Sequence, residues 1–181
     1  MAATQLFSAI TSYIVIISAD AEQTRGVLFW LLGSLARARW DGVVLTAVVC
    51  VAALVVCLAR AADLDAFAFG ERSANSLGVN VRMLRGVLLT TTALLTATLV
   101  ASAGAIGFVG LVLPHAARLL VGPSNRLVLA TAALLGAILL IWVDALGRTV
   151  AAPVEVPVGV ITALVGVPAF VVLLARKGAR G

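Results

Sequence analysis

Apolar residues occur along this chain in long runs that short polar or charged stretches separate. The runs approach the roughly 20 residues that a helix needs to cross the hydrocarbon core, and none alternates as a membrane β-strand would. The pattern predicts an all-α integral membrane protein, a polytopic helical bundle forming one transmembrane domain. About six spans are expected, near residues 2–19, 43–59, 86–103, 106–121, 127–143 and 158–175.

The segment between the first two runs, GVLFWLLGSLARARW at residues 26–40, is too short and interrupted to cross a membrane. Trp30 and Trp40 suit a short interfacial helix lying along the lipid headgroups. Just before it, SADAEQ offers an Ala-x-Ala cleavage pattern at Ala19 and Ala21, as in a signal peptide. Because the first run lacks a basic region ahead of it, an uncleaved first span is preferred.

Composition agrees with a membrane protein: the 181 residues are 62% hydrophobic and 12% charged. The net charge of +5 does not indicate a nucleic-acid partner, because the basic residues stand singly between apolar runs. Cys50 and Cys57 are seven residues apart in one run, about 10 Å along a helix axis, so they cannot form a disulfide with each other.

The distribution of Lys and Arg predicts the orientation in the cell membrane, since excess positive charge stays on the cytoplasmic side. Nine basic residues fall on one side and four on the other, which places both termini in the cytoplasm. The nine are Arg60, Arg72, Arg82, Arg85, Arg118, Arg126, Arg176, Lys177 and Arg180; the four are Arg25, Arg37, Arg39 and Arg148.

The sequence offers no constellation for catalysis, a cofactor or a metal. It has one histidine, no Gly-rich loop ending in Gly-Lys-Ser/Thr, and no His, Cys and carboxylate set at metal-ligand spacing. An enzyme is therefore not expected, and the placement of glycine, proline and charge carries the remaining information.

Glycine recurs every third residue in GAIGFVG, at Gly104, Gly107 and Gly110. This spacing predicts a helix face on which neighbouring backbones approach closely, or a helix loosened so that it can bend during transport. Gly166 and Pro168 in the last run are assigned the same packing or flexing role.

In LVLPHAARLL, Pro114 predicts a break or kink near the end of a span. His115 and Arg118 are three residues apart and share one helix face where the span reaches the basic side. An interfacial role is expected for His115, with a proton relay as the alternative, and Arg118 is expected to anchor the span end.

The linker at residues 63–81 is rich in small and polar residues around the isolated apolar Phe69 and Leu77. It predicts two short helices, with Gly70 and Gly78 as helix terminators and Leu77 as a knob for a partner's groove. A solvated connector is the alternative.

On the opposite side, Asp144 and Arg148 share a helix face at i, i+4 near Glu155, which fits either a local ion pair or a docking point for an acidic partner.

Together these segments resemble the FecCD-type, or BtuC-like, permease family of bacterial ABC importers for iron-siderophores, haem and vitamin B12. The resemblance rests on WLLGSLARARW, FGERSANSLGVNV, SAGAIGFVGLVLPHAARLLVG, LLGAILLIWVDALGRTV and EVPVGVITALVGVPAFVVLLARK, in that family's order and spacing. It covers nearly the whole chain, yet family members have ten spans, and this sequence corresponds to the C-terminal part without the first four.

The resemblance implies a homodimeric permease that binds two ATPase subunits inside and receives a metal chelate from a binding protein outside. It implies that Pro114 stops its helix at the cytoplasmic side and that Arg148 receives a glutamate of the binding protein. Residues matching the family's ATPase-coupling helices are Gly70, Glu71, Ala74, Leu77 and Gly78, with Phe69 where leucine is usual. A self-sufficient channel or secondary transporter, which would need ionisable residues inside its spans, and a non-transporting truncated fragment are the rival functions.

Overall fold

The computed structural model describes residues 5–6, 9–10, 13, 21–36, 38–150 and 155–178. From Ala21 onward the described residues form eight helices, and none of the described residues lies in a strand, which confirms the predicted all-α class. The predicted first span lies mostly outside the described residues. The helices are α1 (Ala21–Leu32), α2 (Trp40–Ala59), α3 (Ala61–Phe67), α4 (Glu71–Ser76), α5 (Val81–Ala103), α6 (Val109–Val121), α7 (Asn125–Thr149) and α8 (Val158–Gly178).

Three of these helices, α2, α5 and α7, are long and apolar enough to cross a membrane, with 20, 23 and 25 residues. Helix α8 has 21 residues. Helix α6 has only 13, roughly 20 Å, so the span predicted at 106–121 is shorter than a full crossing. It is shorter because the chain between Gly104 and Phe108 is not helical.

The interfacial helix predicted at residues 26–40 also differs from the observed element. Helix α1 begins earlier, at Ala21, and ends at Leu32, while Trp40 is the first residue of α2. The helix ends there because Gly33 takes a φ of +71° that a helix cannot continue through.

Pro114 does not stop its helix, contrary to the expectation. Helix α6 continues for seven residues beyond it and ends at Val121, before Gly122, which has a φ of +83°. Proline removes one backbone hydrogen bond, but packing against neighbouring helices can sustain a membrane helix through it. Helix α6 packs along both α7 and α8, and Ala117, one turn beyond the proline, is fully buried.

The helix ends and connecting segments at one end of the bundle cross one another closely; we call residues 30–34, 103–108 and 156–159 the junction. The Ser34 N–H donates to the Ala103 carbonyl at 2.8 Å, and the Gly159 N–H donates to the Gly33 carbonyl at 3.2 Å. The Trp30 indole Nε1 donates to the Val100 carbonyl at 3.2 Å. Backbone groups that no helix pairs need such internal partners wherever water cannot reach them.

The prediction that Gly104, Gly107 and Gly110 share one helical packing face is wrong. Gly104 ends α5 with a φ of +74°, Gly107 lies between helices, and only Gly110 is helical. A side chain at Gly104 would collide with the Trp30 carbonyl, whereas one at Gly107 or Gly110 would meet open space.

Gly166 also lies at a close contact, in the middle of α8. An added Cβ there would come within 2.5 Å of the Phe108 Cβ. Phe108 itself has a left-handed φ of +66°, which is unusual for a residue other than glycine and turns its ring into α8. Pro168, two residues on, lies inside α8 without ending it.

The core of the described residues consists of small side chains. The buried apolar residues are Ala53, Ala61, Ala74, Val81, Leu84, Ala117, Val128, Val143 and Val158. Many large apolar side chains are exposed, as expected where lipid or other subunits rather than water surround the helices. The bundle is therefore held by close backbone approach more than by a large hydrophobic core.

Gly159→Ala is expected to lower the free energy of unfolding by about 1–3 kcal/mol, because the methyl group would collide with the Leu32 carbonyl and break the junction. The matched control is Gly110→Ala, since each glycine is the second residue of its helix and Gly110 has open space around it. Thermal denaturation in detergent compares the two variants. Equal midpoints would show that the junction does not limit stability.

Candidate partner-docking sites

The end of the bundle opposite the junction, here called the basic end, gathers the charges of several helix termini. Arg60 pairs with Asp63 at 3.2 Å within one turn, and Arg85 pairs with Glu71 at 3.8 Å across α5 and α4. Six of the nine basic residues predicted to share one side lie here: Arg60, Arg72, Arg82, Arg85, Arg118 and Arg126.

The linker at 63–81, here called the coupling segment, contains the two short helices expected there, since α3 ends and α4 lies within it. Gly70 separates the helices with a φ of +101°, and Gly78 follows α4 with a φ of +83°. Both glycines therefore mark helix limits, as their spacing predicts.

The coupling segment presents two large apolar side chains outward. Phe69 is 81% exposed and Leu77 is 70% exposed, and each lies directly beside one of the two turning glycines. Two exposed apolar groups on a polar platform at the basic end are the arrangement that a contact surface would need, and a solvated connector is the alternative.

The coupling segment is held together around Ala74 and is joined to α5 by a helix cap. Ala74 is completely buried, and its carbonyl accepts hydrogen bonds from the N–H groups of Leu77 at 3.2 Å and Val79 at 3.0 Å. The Asn80 side chain caps α5 by accepting the Met83 N–H at 3.0 Å. These contacts hold Leu77 on a rigid base.

A second set of contacts joins the coupling segment to α7. Asp65 Oδ1 accepts the Asn125 backbone N–H at 2.9 Å and the Asn125 side-chain Nδ2 at 2.8 Å. Arg118 Nη2 in turn donates to Asn125 Oδ1 at 3.3 Å. The side chain of Arg118 thus reaches the start of the next helix.

His115 is exposed and lies within α6, six residues before its last residue. That spacing corresponds to about 9 Å along the axis, so His115 lies further inside the helix than the position at the span end expected for it. No hydrogen bond links His115 to Arg118 among the contacts of the described residues.

At the opposite end, Arg148 lies in the last turn of α7 and forms the local pair that its spacing permits. Its Nε donates to Asp144 Oδ2 at 2.8 Å and its Nη2 donates to Asp144 Oδ1 at 3.3 Å. Glu155 is 4.0 Å away, and the Arg148 side chain remains 46% exposed. Asp144 therefore holds the guanidinium in place but leaves part of it open to a partner.

Residues 1–176 match the FecCD transport family. The chain belongs to the FecCD transport family. Relatives of this FecCD chain include the cobalamin import system permease protein of Halobacterium salinarum, which is 41% identical over 97% of this chain and 46% of its own length. The hemin transport system permease protein of Yersinia pestis is 40% identical over 87% of this chain and 47% of its own length.

A solved structure assigned to the metal-chelate type of ABC transporter, in an inward-facing conformation, superposes on the FecCD chain with a TM-score of 0.86. The two are 34% identical, and the match covers 95% of this chain and 56% of the other. The FecCD chain thus spans about half the length of the relatives it matches.

Sequence reasoning missed Asp65 and Asn125 in this FecCD chain. Ser124 and Asn125 after Pro123 are a recognisable helix start, but nothing local indicates that Asp65, 60 residues earlier, supplies the acceptor. The pairing arises only because α3 and the start of α7 meet at the basic end.

Proposed function

We propose that this chain is the permease part of an ABC importer that moves a metal chelate into the cytoplasm. An iron-siderophore is the first choice of substrate, because a probable siderophore permease and a Fe(3+) dicitrate permease are each 38% identical, over 97% and 94% of the chain. Haem and cobalamin are the alternatives that other relatives' names support. The permease carries out no covalent chemistry and needs no cofactor of its own.

The observation that carries the proposal is the coupling segment, which offers exposed Phe69 and Leu77 on a rigid base at the basic end. By the positive-inside rule this end and the C-terminus face the cytoplasm, where two ATPase subunits would bind. Two copies of the permease form the pathway across the plasma or inner membrane. ATP-driven closure of the ATPases shifts the coupling segments and reorients the spans, which gives alternating access.

Arg148, at the other end of α7, is assigned to docking of the extracytoplasmic binding protein. The support is its position outside the membrane under this orientation and its partly exposed guanidinium.

The test is reconstitution of the assembled transporter containing this chain in liposomes. Uptake of a ferric siderophore should require ATP and the binding protein, and the purified chain alone should hydrolyse no ATP, because it has no phosphate-binding loop. Uptake driven by an ion gradient without ATP would favour a secondary transporter instead. If neither kind of uptake is observed, the result would favour a non-transporting fragment.

A further inference from the structure

The start of α7 is tied to the coupling segment by one carboxylate. Asp65 Oδ1 receives two N–H groups of Asn125, at 2.9 and 2.8 Å, and both residues are half-buried. A carboxylate is favoured at this place because the N-terminus of a helix carries partial positive charge, and charged acceptors form the stronger hydrogen bonds. Unlike the Arg60–Asp63 pair, which lies within one turn, this contact joins two separate parts of the bundle.

Helix α7 runs without a break from the basic end to the junction end. Its 25 residues extend about 37 Å, from Asn125 at the coupling segment to the turn that carries Arg148. Helices α6 and α8 beside it each contain a proline, whereas α7 contains none. An uninterrupted helix transmits a displacement of one end to the other with less bending than a helix that lacks a backbone hydrogen bond.

We propose that Asp65 is a positioning residue that fixes the coupling segment to α7, so that α7 carries movement between the ATPase contact and the Arg148 docking point. This inference rests on the proposed function, because it needs a partner at each end. A displaced coupling segment must either break both Asp65 hydrogen bonds or move α7 with it as a rigid body. By thermodynamic linkage, a binding protein at Arg148 then changes the state of the ATPase contact.

The competing account is that Asp65 only caps α7 and contributes to stability. The two accounts differ in what fails when the contact is lost. A cap alone affects folding and assembly, whereas a link affects the response of the ATPase to the binding protein while leaving its basal rate unchanged.

Asn125→Asp tests the link, because it sets a second carboxylate of the same size against Asp65. In the assembled transporter we expect stimulation of ATP hydrolysis by the binding protein to fall about fivefold. This factor corresponds to losing the net contribution of one hydrogen bond to the free energy that couples the two sites. Basal hydrolysis and assembly should be unchanged. Combining it with Asp65→Asn should restore stimulation, since the new amide donates to the new carboxylate.

Asn80→Asp is the matched control, because it makes the same change at another helix N-terminus of the basic end, where the side chain caps its own helix. Its stimulation should stay within about twofold of wild type. Wild-type stimulation in Asn125→Asp, or no recovery in the double variant, would overturn the link alone. Absence of stimulation in the wild-type transporter would instead overturn the proposed function, and the link with it.

Discussion

Leu77→Asp should lower the affinity of the permease for its ATPase subunits by about 100-fold or more, since an uncompensated charge in a buried contact costs several kcal/mol. The side chain is 70% exposed on a base fixed by Ala74, so the substitution adds a charge without disturbing the fold. Membrane insertion should therefore be normal. The measurement is titration of the detergent-solubilised permease with purified ATPase subunits, followed by chelate uptake in liposomes.

Asn75→Asp serves as the control, because it adds the same charge two residues away at an exposed polar position without changing the side chain's size. It should bind the ATPase nearly as wild type does. Gly70→Arg is also expected to uncouple transport, but it tests the contact less cleanly, because Gly70 has a φ of +101° and any side chain there strains the backbone. Wild-type association and uptake in Leu77→Asp would identify the coupling segment as a solvated connector.

Arg148→Glu should weaken association of the binding protein about 30-fold or more at low salt, because a docked acidic side chain would lose its partner and meet like charge. The effect should diminish as salt rises, since a partly exposed pair is screened. Exchanging the partner's acidic residue for arginine should restore association. The measurement is the dissociation constant of the binding protein with the permease in nanodiscs across a salt series.

The local pair with Asp144 makes a second variant informative. Asp144→Asn removes the competing carboxylate, which lies 2.8 Å from Arg148, while keeping the side chain's size. If Arg148 is a docking point, this variant should bind the partner at least as tightly as wild type, because the guanidinium is released. An exposed pair on one helix contributes only about 0.3–0.5 kcal/mol, so breaking it should not reduce association. If both variants bind the binding protein with unchanged affinity, Arg148 has no docking role and only forms its local pair.

The sequence predicted the class and much of the architecture because hydrophobic periodicity, chain length and glycine punctuation are local signals. Apolar runs located the ends of α2, α5, α7 and α8 to within six residues, and Gly70 and Gly78 marked the limits of the short helices. Charge spacing likewise predicted the Asp144–Arg148 pair, since i, i+4 neighbours meet on any helix.

Tertiary contacts decided the features that the sequence did not determine. Pro114 alone predicts a helix end, yet packing of α6 against α7 and α8 carries the helix on to Val121. The glycine repeat predicts a helix face, yet Gly104 is needed because the Trp30 carbonyl, 74 residues earlier, occupies the space of a side chain. Asp65 meets Asn125 only because α3 and the start of α7 come together. Each outcome depends on atoms distant in sequence, whose approach is set by the whole bundle rather than by local propensity.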